Sequence, residues 1–454
     1  MSAPIGRHRR ALPEAPARRG WCPGLTRPMP TGDGLLARVH PPLGILTLDQ
    51  ARAVAEGARR FGNGHIDLTA RANLQIRGVT EATQTDLARL LAAEGLGDVR
   101  ADGGPQRLTL TSPLVNRDPA ALIDVSALAR AVEAVGLAIP GLPAKTLVVI
   151  AGRRDGAMPE ADCCVVALEP GVVAIVAGQG QDEVVTCAEG EAPARVAALL
   201  AAFALTGLRR MRDLSDAERA TIIEALRVGN PAPLPMHADD RGHSNLAQDG
   251  GALFAPAPGL HADPGLHIIV IDAAFGRCTA EALDRVVAAA IALGAPDIRL
   301  SPTRGFVLMA APGPHGAAVL ADLATDFIIA PDDPRCRIDA CTGAPGCASG
   351  STATLADAAR LAEALRPLTA LGGSAHVSGC AKGCARPGPA GLTLVGRQGH
   401  YGVVLGGAPA DEPAMDLPIE AVLERLGRAK TIGLAAAFAP DTAHTDSGRT
   451  RRPA

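Results

Sequence analysis

The chain has 454 residues, 47% of them hydrophobic, and a formal net charge of −3. That is enough apolar chain for several cores, on the order of three domains by length, and its cations are spread without the basic stripe that nucleic acid needs, so no nucleic-acid partner is expected. No run reaches the roughly 18 apolar residues of a membrane span, and the arginines near the start lead into GWCPGLTRPMPTGDG rather than into a signal core. A cytoplasmic chain with no membrane partner is the expectation. In that reducing compartment the ten cysteines point to metal or redox chemistry more than to disulfides, although Cys163, Cys164, Cys187 and Cys278 lie in or beside apolar stretches and read as core. Only Lys145, Lys382 and Lys430 among the 44 basic residues are lysine, a residue that supplies a compact, titratable ammonium where arginine cannot.

In chain order, residues 1–20 read as a flexible basic arm. An internal repeat follows. GILTLDQARAVAEGARRFGNGHIDLT, from Gly44, aligns without a gap on GRCTAEALDRVVAAAIALGAPDIRLS, from Gly276. Each copy has a capping threonine (Thr47, Thr279), alanine-rich helical periodicity, a glycine stop (Gly62, Gly294) and a short alternating strand, and each is preceded by an apolar strand, GLLARVH or LHIIVID. This predicts a duplicated α+β chain. After its strand the first copy carries TARANLQIRG, in which Arg71, Asn73, Gln75 and Arg77 alternate as if on one face of an extended segment, while the second copy keeps only Arg304 in SPTRGFVL. Residues 227–265, dense in Pro, Gly and Asp, read as a linker, and 441–454 as a disordered tail.

The strongest chemical signal is two cysteine pairs. Cys341 and Cys347 are spaced C-x5-C, and Cys380 and Cys384 are spaced C-x3-C. A helix capped by Ser351 or Thr352 is expected between them, which puts the thiols on two loops flanking it. The wide first spacing favours an iron–sulfur cluster over zinc or thiol redox chemistry, and Gly343, Gly346 and Gly383 let the backbone approach an inorganic core. Cys336 is a fifth candidate, set aside because four ligands are already paired. The segment HADDRGH, with His237, Asp239 and His243, has the composition of a two-histidine, one-carboxylate iron site, and His261 and His267 are equally open candidates.

The order C-x5-C, helix, C-x3-C and glycine-rich hairpin GLTLVGRQGHYGVVLGG resembles the cluster half of the sulfite/nitrite reductase superfamily. TARANLQ resembles its T-x-R-x-x-x-Q signature, Arg107 in RLTLTSP its R-x4-[NS]-P signature, and LPAKT, with Lys145, its P-R-K segment. The resemblance implies a pseudo-twofold fold with two ferredoxin-like segments (21–90 and 266–330), a reductase-like lobe (91–226) and a cluster-binding lobe (331–440). It further implies a cleft whose cations grip tetrapyrrole carboxylates, with Arg71, Asn73, Gln75, Arg107, Lys145, Arg304 and Lys382 as substrate-binding candidates and Cys341, Cys347, Cys380 and Cys384 as ligands of a [4Fe–4S] cluster.

Within that superfamily, CPGLTRPMPTGDGLLARVHPPLG and SGCAKGCARP resemble the precorrin-3B synthase family. That implies an oxygen-dependent monooxygenase that hydroxylates carbon 20 of precorrin-3A and closes a lactone, using dioxygen, an external electron donor (an NADH-linked reductase or a ferredoxin-like protein), the cluster and a mononuclear non-haem iron, with no prosthetic sirohaem. A sirohaem-dependent sulfite or nitrite reductase is the alternative. Those enzymes place two lysines, two apart, after the proline, whereas here PAKTL has Leu147 at the second position. An iron–sulfur electron-transfer protein is a further alternative. Trp21 and Cys22 are typical of the family in position, with no role assigned.

Overall fold

The computed structural model describes residues 20–154, 158–178, 184–227, 254–263, 265–369 and 373–439. The chain divides into two compact units, Ala17–Pro331 and Asp332–Ala454. The basic arm, most of the 227–265 linker, the 441–454 tail and the HADDRGH segment lie outside the described residues.

In Ala17–Pro331 the repeat is visible in detail. The helices Leu48–Phe61 and Ala280–Leu293 are capped by Thr47, which accepts from the Gln50 N–H, and by Thr279, which accepts from the Ala282 N–H. Each helix follows a tight turn in which a bulky residue takes a positive φ: Leu43 at 56° and, at the aligned position, Phe275 at 57°. A left-handed backbone is unfavourable for such side chains, so the same strained turn recurring in both copies argues for their common descent. The two helices pack on one another over a continuous core that includes Val54, Ala58, Leu283 and Val286.

The sheets are interleaved. Met29–Thr31, Gly34–Val39, Leu74–Val79 and His65–Leu68 of the first copy are completed by Arg277–Thr279 of the second, paired antiparallel on His65–Asp67. Reciprocally, Gly259–Asp263, Leu266–Ala273, Gly305–Ala310 and Ile298–Ser301 of the second copy are completed by Ile45–Leu46 of the first. A buried ion network fixes this exchange. Asp67 accepts from Arg277 at 2.6 and 3.0 Å and from Arg77 at 3.1 Å, and Arg77 also donates to Asp33 at 2.7 and 2.9 Å.

A third sheet in this unit runs Val184–Ala188, Val172–Ala177, Cys163–Glu169, Val148–Ala151, Thr109–Thr111, with its last three strands parallel. Residues of the helices Val125–Gly136, Ala192–Leu205 and Asp216–Arg227 share its core. Cys163, Cys187 and Cys278 are buried and Cys164 half-buried, in keeping with their apolar surroundings; burial pushes the Cys164 and Cys187 thiols up to about 11.

The unit Asp332–Ala454 has one five-stranded sheet, Ile338–Ala340, Ala375–Ser378, Ala390–Arg397, His400–Gly407, Met415–Leu417, whose first three strands are parallel. The hairpin turns through Gln398 and Gly399, both at positive φ, as a two-residue turn between twisted strands requires. The helix between the cysteine pairs is Thr354–Thr369, so it starts later than Ser351 or Thr352. Thr354 instead donates its hydroxyl to the Cys341 carbonyl at 2.5 Å, and that bond ties the helix start to the first cysteine loop. Among the described residues no helix is long and apolar enough to cross a membrane.

Candidate functional site

The strand expected to carry four alternating polar residues begins only at Leu74. Arg71 and Ala72 form the turn before it, closed by the Ala72 N–H on the Thr69 carbonyl at 2.9 Å, with Ala72 at φ 51°. The tight turn breaks the alternation, so Arg71 and Asn73 do not share a strand face with Gln75 and Arg77. Arg77 is committed to the Asp33–Asp67 network. Gln75, with its amide oriented to suit both groups, accepts from Arg38 at 2.7 and 3.0 Å.

The turn nevertheless brings distant cations together. Arg71 donates to the Lys145 carbonyl at 2.7 Å. Arg107 donates to the carbonyls of Pro41 at 2.8 Å and Ala72 at 3.0 Å, and to that of Arg71. Burial, then repulsion from Arg210 and Arg38, pulls Arg71 down to about 10, with Asp162 and Cys22 opposing. Arg107 is likewise pulled to about 10 by burial and by Arg71, against Glu133. Both stay charged at neutral pH. Buried guanidiniums with further cations beside them favour an anionic ligand. Asn73, 7% exposed, lies in the same turn with an Oδ1 that has no hydrogen-bond partner among the described residues, an acceptor open to a ligand's donor.

Sequence reasoning missed Arg38, His40 and Arg210. Arg210 is fixed by Asp162, whose Oδ1 accepts from Arg210 at 3.0 Å and from the Met211 N–H at 2.9 Å, while its Oδ2 accepts from the Leu147 N–H at 3.1 Å. The Leu147 side chain is buried in the core, so of positions 145 and 147 only Lys145 offers an amine. Burial, together with Arg38 and Arg107, holds the His40 imidazole well below its ordinary range, and its Nε2 lies 3.6 Å from the Cys22 sulfur. The nearest sequence signal is the run LLARVH, which puts Arg38 near the end of the strand Gly34–Val39 and His40 just beyond it.

In the second copy Asp272 aligns with His40, Thr303 with Arg71 and Arg304 with Ala72. Arg304 inherits the positive φ of Ala72, at 70°, and its place in the chain. Asp272 is 8% exposed and accepts from the Thr303 hydroxyl at 2.6 Å; burial pushes it up to about 6, opposed by Thr303 and Arg304. The folded protein therefore holds this proton more tightly than the unfolded chain. Its contribution is fully present below about pH 4 and is lost as pH rises through about 6, by about 3 kcal/mol. Urea unfolding of Asp272→Asn against the parent should show that pH dependence removed; identical slopes for the two proteins between pH 4 and 7 would refute it.

In the unit Asp332–Ala454, the parallel pairing of Ile338–Ala340 with Ala375–Ser378 places Cys341 and Cys380 at one end of the sheet. The Gly379 N–H points at the Cys341 sulfur at 3.0 Å. A Cβ at Gly379 would lie 3.1 Å from the Gly343 Cα and 3.2 Å from the Gly350 Cα, so these glycines let the two loops close on each other. Burial raises the Cys380 and Cys384 thiols; the neighbouring cysteines of the quartet raise both further and Lys382 opposes. Cys380 and Cys384 thus feel the other cysteines of the two loops. Cys336 lies on the short helix Pro334–Arg337 rather than on either of the two loops. Among the described residues no three His, Cys, Asp or Glu side chains are closed to metal-binding geometry, yet four thiols on two glycine-lined loops, with a main-chain N–H aimed at one sulfur, fit an iron–sulfur cluster. His261 instead pairs with the Ala257 carbonyl at 2.7 Å.

Residues 27–94 match the family described as the nitrite/sulfite reductase ferredoxin-like half domain. A precorrin-3B synthase of Sinorhizobium sp. is 34% identical over 429 residues, 91% of this chain and 89% of the relative. A ferredoxin–nitrite reductase of Leptolyngbya laminosa is 33% identical over 146 residues, 30% of this chain and 28% of the relative. The solved structure of the Mycobacterium tuberculosis NirA protein superposes with a TM-score of 0.67 at 20% identity, covering 87% of this chain and 80% of that one; it shares the fold. The α+β duplication seen here is thus that of the sulfite/nitrite reductases, and the match along nearly the whole chain shows that it belongs to the precorrin-3B synthase family of that superfamily.

Proposed function

We propose that the protein is a precorrin-3B synthase, a monooxygenase that hydroxylates carbon 20 of precorrin-3A and closes a lactone, consuming dioxygen and electrons from an external donor. Similarity along nearly the whole chain to an enzyme of that name carries the reading. The chain's own residues supply what a carboxylate-rich substrate needs. Arg71 and Lys145, bound to each other through the Lys145 carbonyl, anchor carboxylates by charge-assisted hydrogen bonds. Asn73 offers an unpaired acceptor beside them, Gln75 and Arg107 support the arrangement, and Arg304 is a further cation for the substrate. A [4Fe–4S] cluster on Cys341, Cys347, Cys380 and Cys384 supplies single electrons when bound. The described residues present no triad for a mononuclear iron.

The partial match to nitrite reductases favours a second reading, a sirohaem-dependent reductase. Leu147 counts against it, because a buried leucine cannot deliver protons to a reducing oxyanion. Acid–acetone extraction of the purified protein followed by absorption spectroscopy is expected to yield no sirohaem, and oxygen uptake is expected only with precorrin-3A and reductant. Stoichiometric sirohaem would transfer the assignment to the reductase.

A further inference from the structure

We infer that Arg107 is a positioning residue, which clamps the turn that presents Arg71 and does not itself grip the anion. Three of its hydrogen bonds go to main-chain carbonyls, those of Pro41, Arg71 and Ala72. These carbonyls belong to two turns with left-handed residues, Leu43 at φ 56° in one and Ala72 at 51° in the other, conformations that persist only where the surroundings enforce them. To swing toward a carboxylate, the guanidinium would have to abandon acceptors in a largely desolvated place, and each orphaned carbonyl would cost more than the bond was worth. Arg71 differs. Among the described residues its side chain makes one hydrogen bond, to the Lys145 carbonyl, and Arg38 and Arg210 act on it by repulsion. The order of control therefore runs from Arg107 through the Arg71 main chain to the Arg71 side chain, and from there to the Lys145 segment. Gly44 belongs to the clamp: a Cβ there, at φ 72°, would lie 3.2 Å from the Ala72 Cβ and 3.5 Å from Arg107 Nη1.

This assignment rests on the anion-site reading, and a double-mutant cycle tests both separately. Binding of uroporphyrin, a carboxylate-bearing tetrapyrrole, to the full chain is followed by quenching of Trp21, the sole tryptophan. Arg71→Gln should weaken binding about tenfold or more, as loss of a charge-assisted bond does. Arg107→Met should weaken it similarly in the parent, but by less than about twofold in the Arg71→Gln background, because a residue that acts through Arg71 has nothing left to position. Gly44→Ala perturbs the clamp without removing a charge and should show the same dependence on Arg71, which keeps the test available if Arg107→Met fails to fold. Losses that multiply in the double variants would make Arg107 a direct ligand and overturn the assignment alone. Unchanged binding by Arg71→Gln would overturn the anion site and the assignment with it.

Discussion

Replacing any one of Cys341, Cys347, Cys380 or Cys384 by serine is expected to abolish the cluster. A cubane takes a thiolate at each corner, and serine offers a poorer, harder ligand. Iron and acid-labile sulfide on anaerobically purified parent protein should each approach about four per chain, and each serine variant should fall toward background. Cys336→Ser should keep the parent content, since Cys336 sits on Pro334–Arg337 rather than on either glycine-lined loop. Zinc without sulfide in the parent would refute the cluster, and loss of iron in Cys336→Ser would refute the choice of ligands. The close approach of Gly379 to Gly343 and Gly350 adds that bulk at Gly379 should act like loss of a ligand, by prising the loops apart.

The second large effect is expected at Asp67. It is the common partner of Arg77, 3% exposed, and Arg277, 18% exposed, so Asp67→Asn removes the counter-charge that the two guanidiniums share, while Arg77 keeps its bonds to Asp33. Breaking such a pair from one side costs about 3 kcal/mol, and the urea midpoint should drop accordingly with little change in slope. Asp49→Asn is the control. Its partner Arg52 is 51% exposed and Asp49 itself 77%, and an exposed pair of that kind contributes well under about 1 kcal/mol. Equal midpoints for the two variants would show that the network does not fasten the interleaved sheets.

The repeat was legible because its punctuation is local: Thr47 and Thr279 cap, Gly62 and Gly294 stop, and the apolar runs before them are strands. The two cysteine loops flanking a helix were legible for the same reason, through spacing and glycine. The exchange of strands was not. Ile45–Leu46 and Arg277–Thr279 are two and three residues long, too short to show a period, and their partners are chosen by tertiary register. Arg71, Arg107 and Lys145 could be singled out as residues, but their division of labour depends on which atoms they meet. Alternation suggested a face for Arg71 and Asn73 that the Ala72 turn takes away. Arg38, His40 and Arg210 join the group only because the chain folds back on itself, which no local pattern reports.

The exchange of short strands also sets a timetable for synthesis. Asp67 and Arg277 meet across 210 positions of chain, so the strand His65–Leu68, paired on one side with Leu74–Val79, keeps its other edge open while the intervening segment is still being made. At about 5–20 residues per second, that wait is roughly 10–40 s. Throughout it the nascent first copy displays an open strand edge of the kind other chains can pair with. A ribosome-bound chain halted before Arg277 should therefore be protease-sensitive around His65–Leu68, and one halted well after Thr279 has emerged should be protected there.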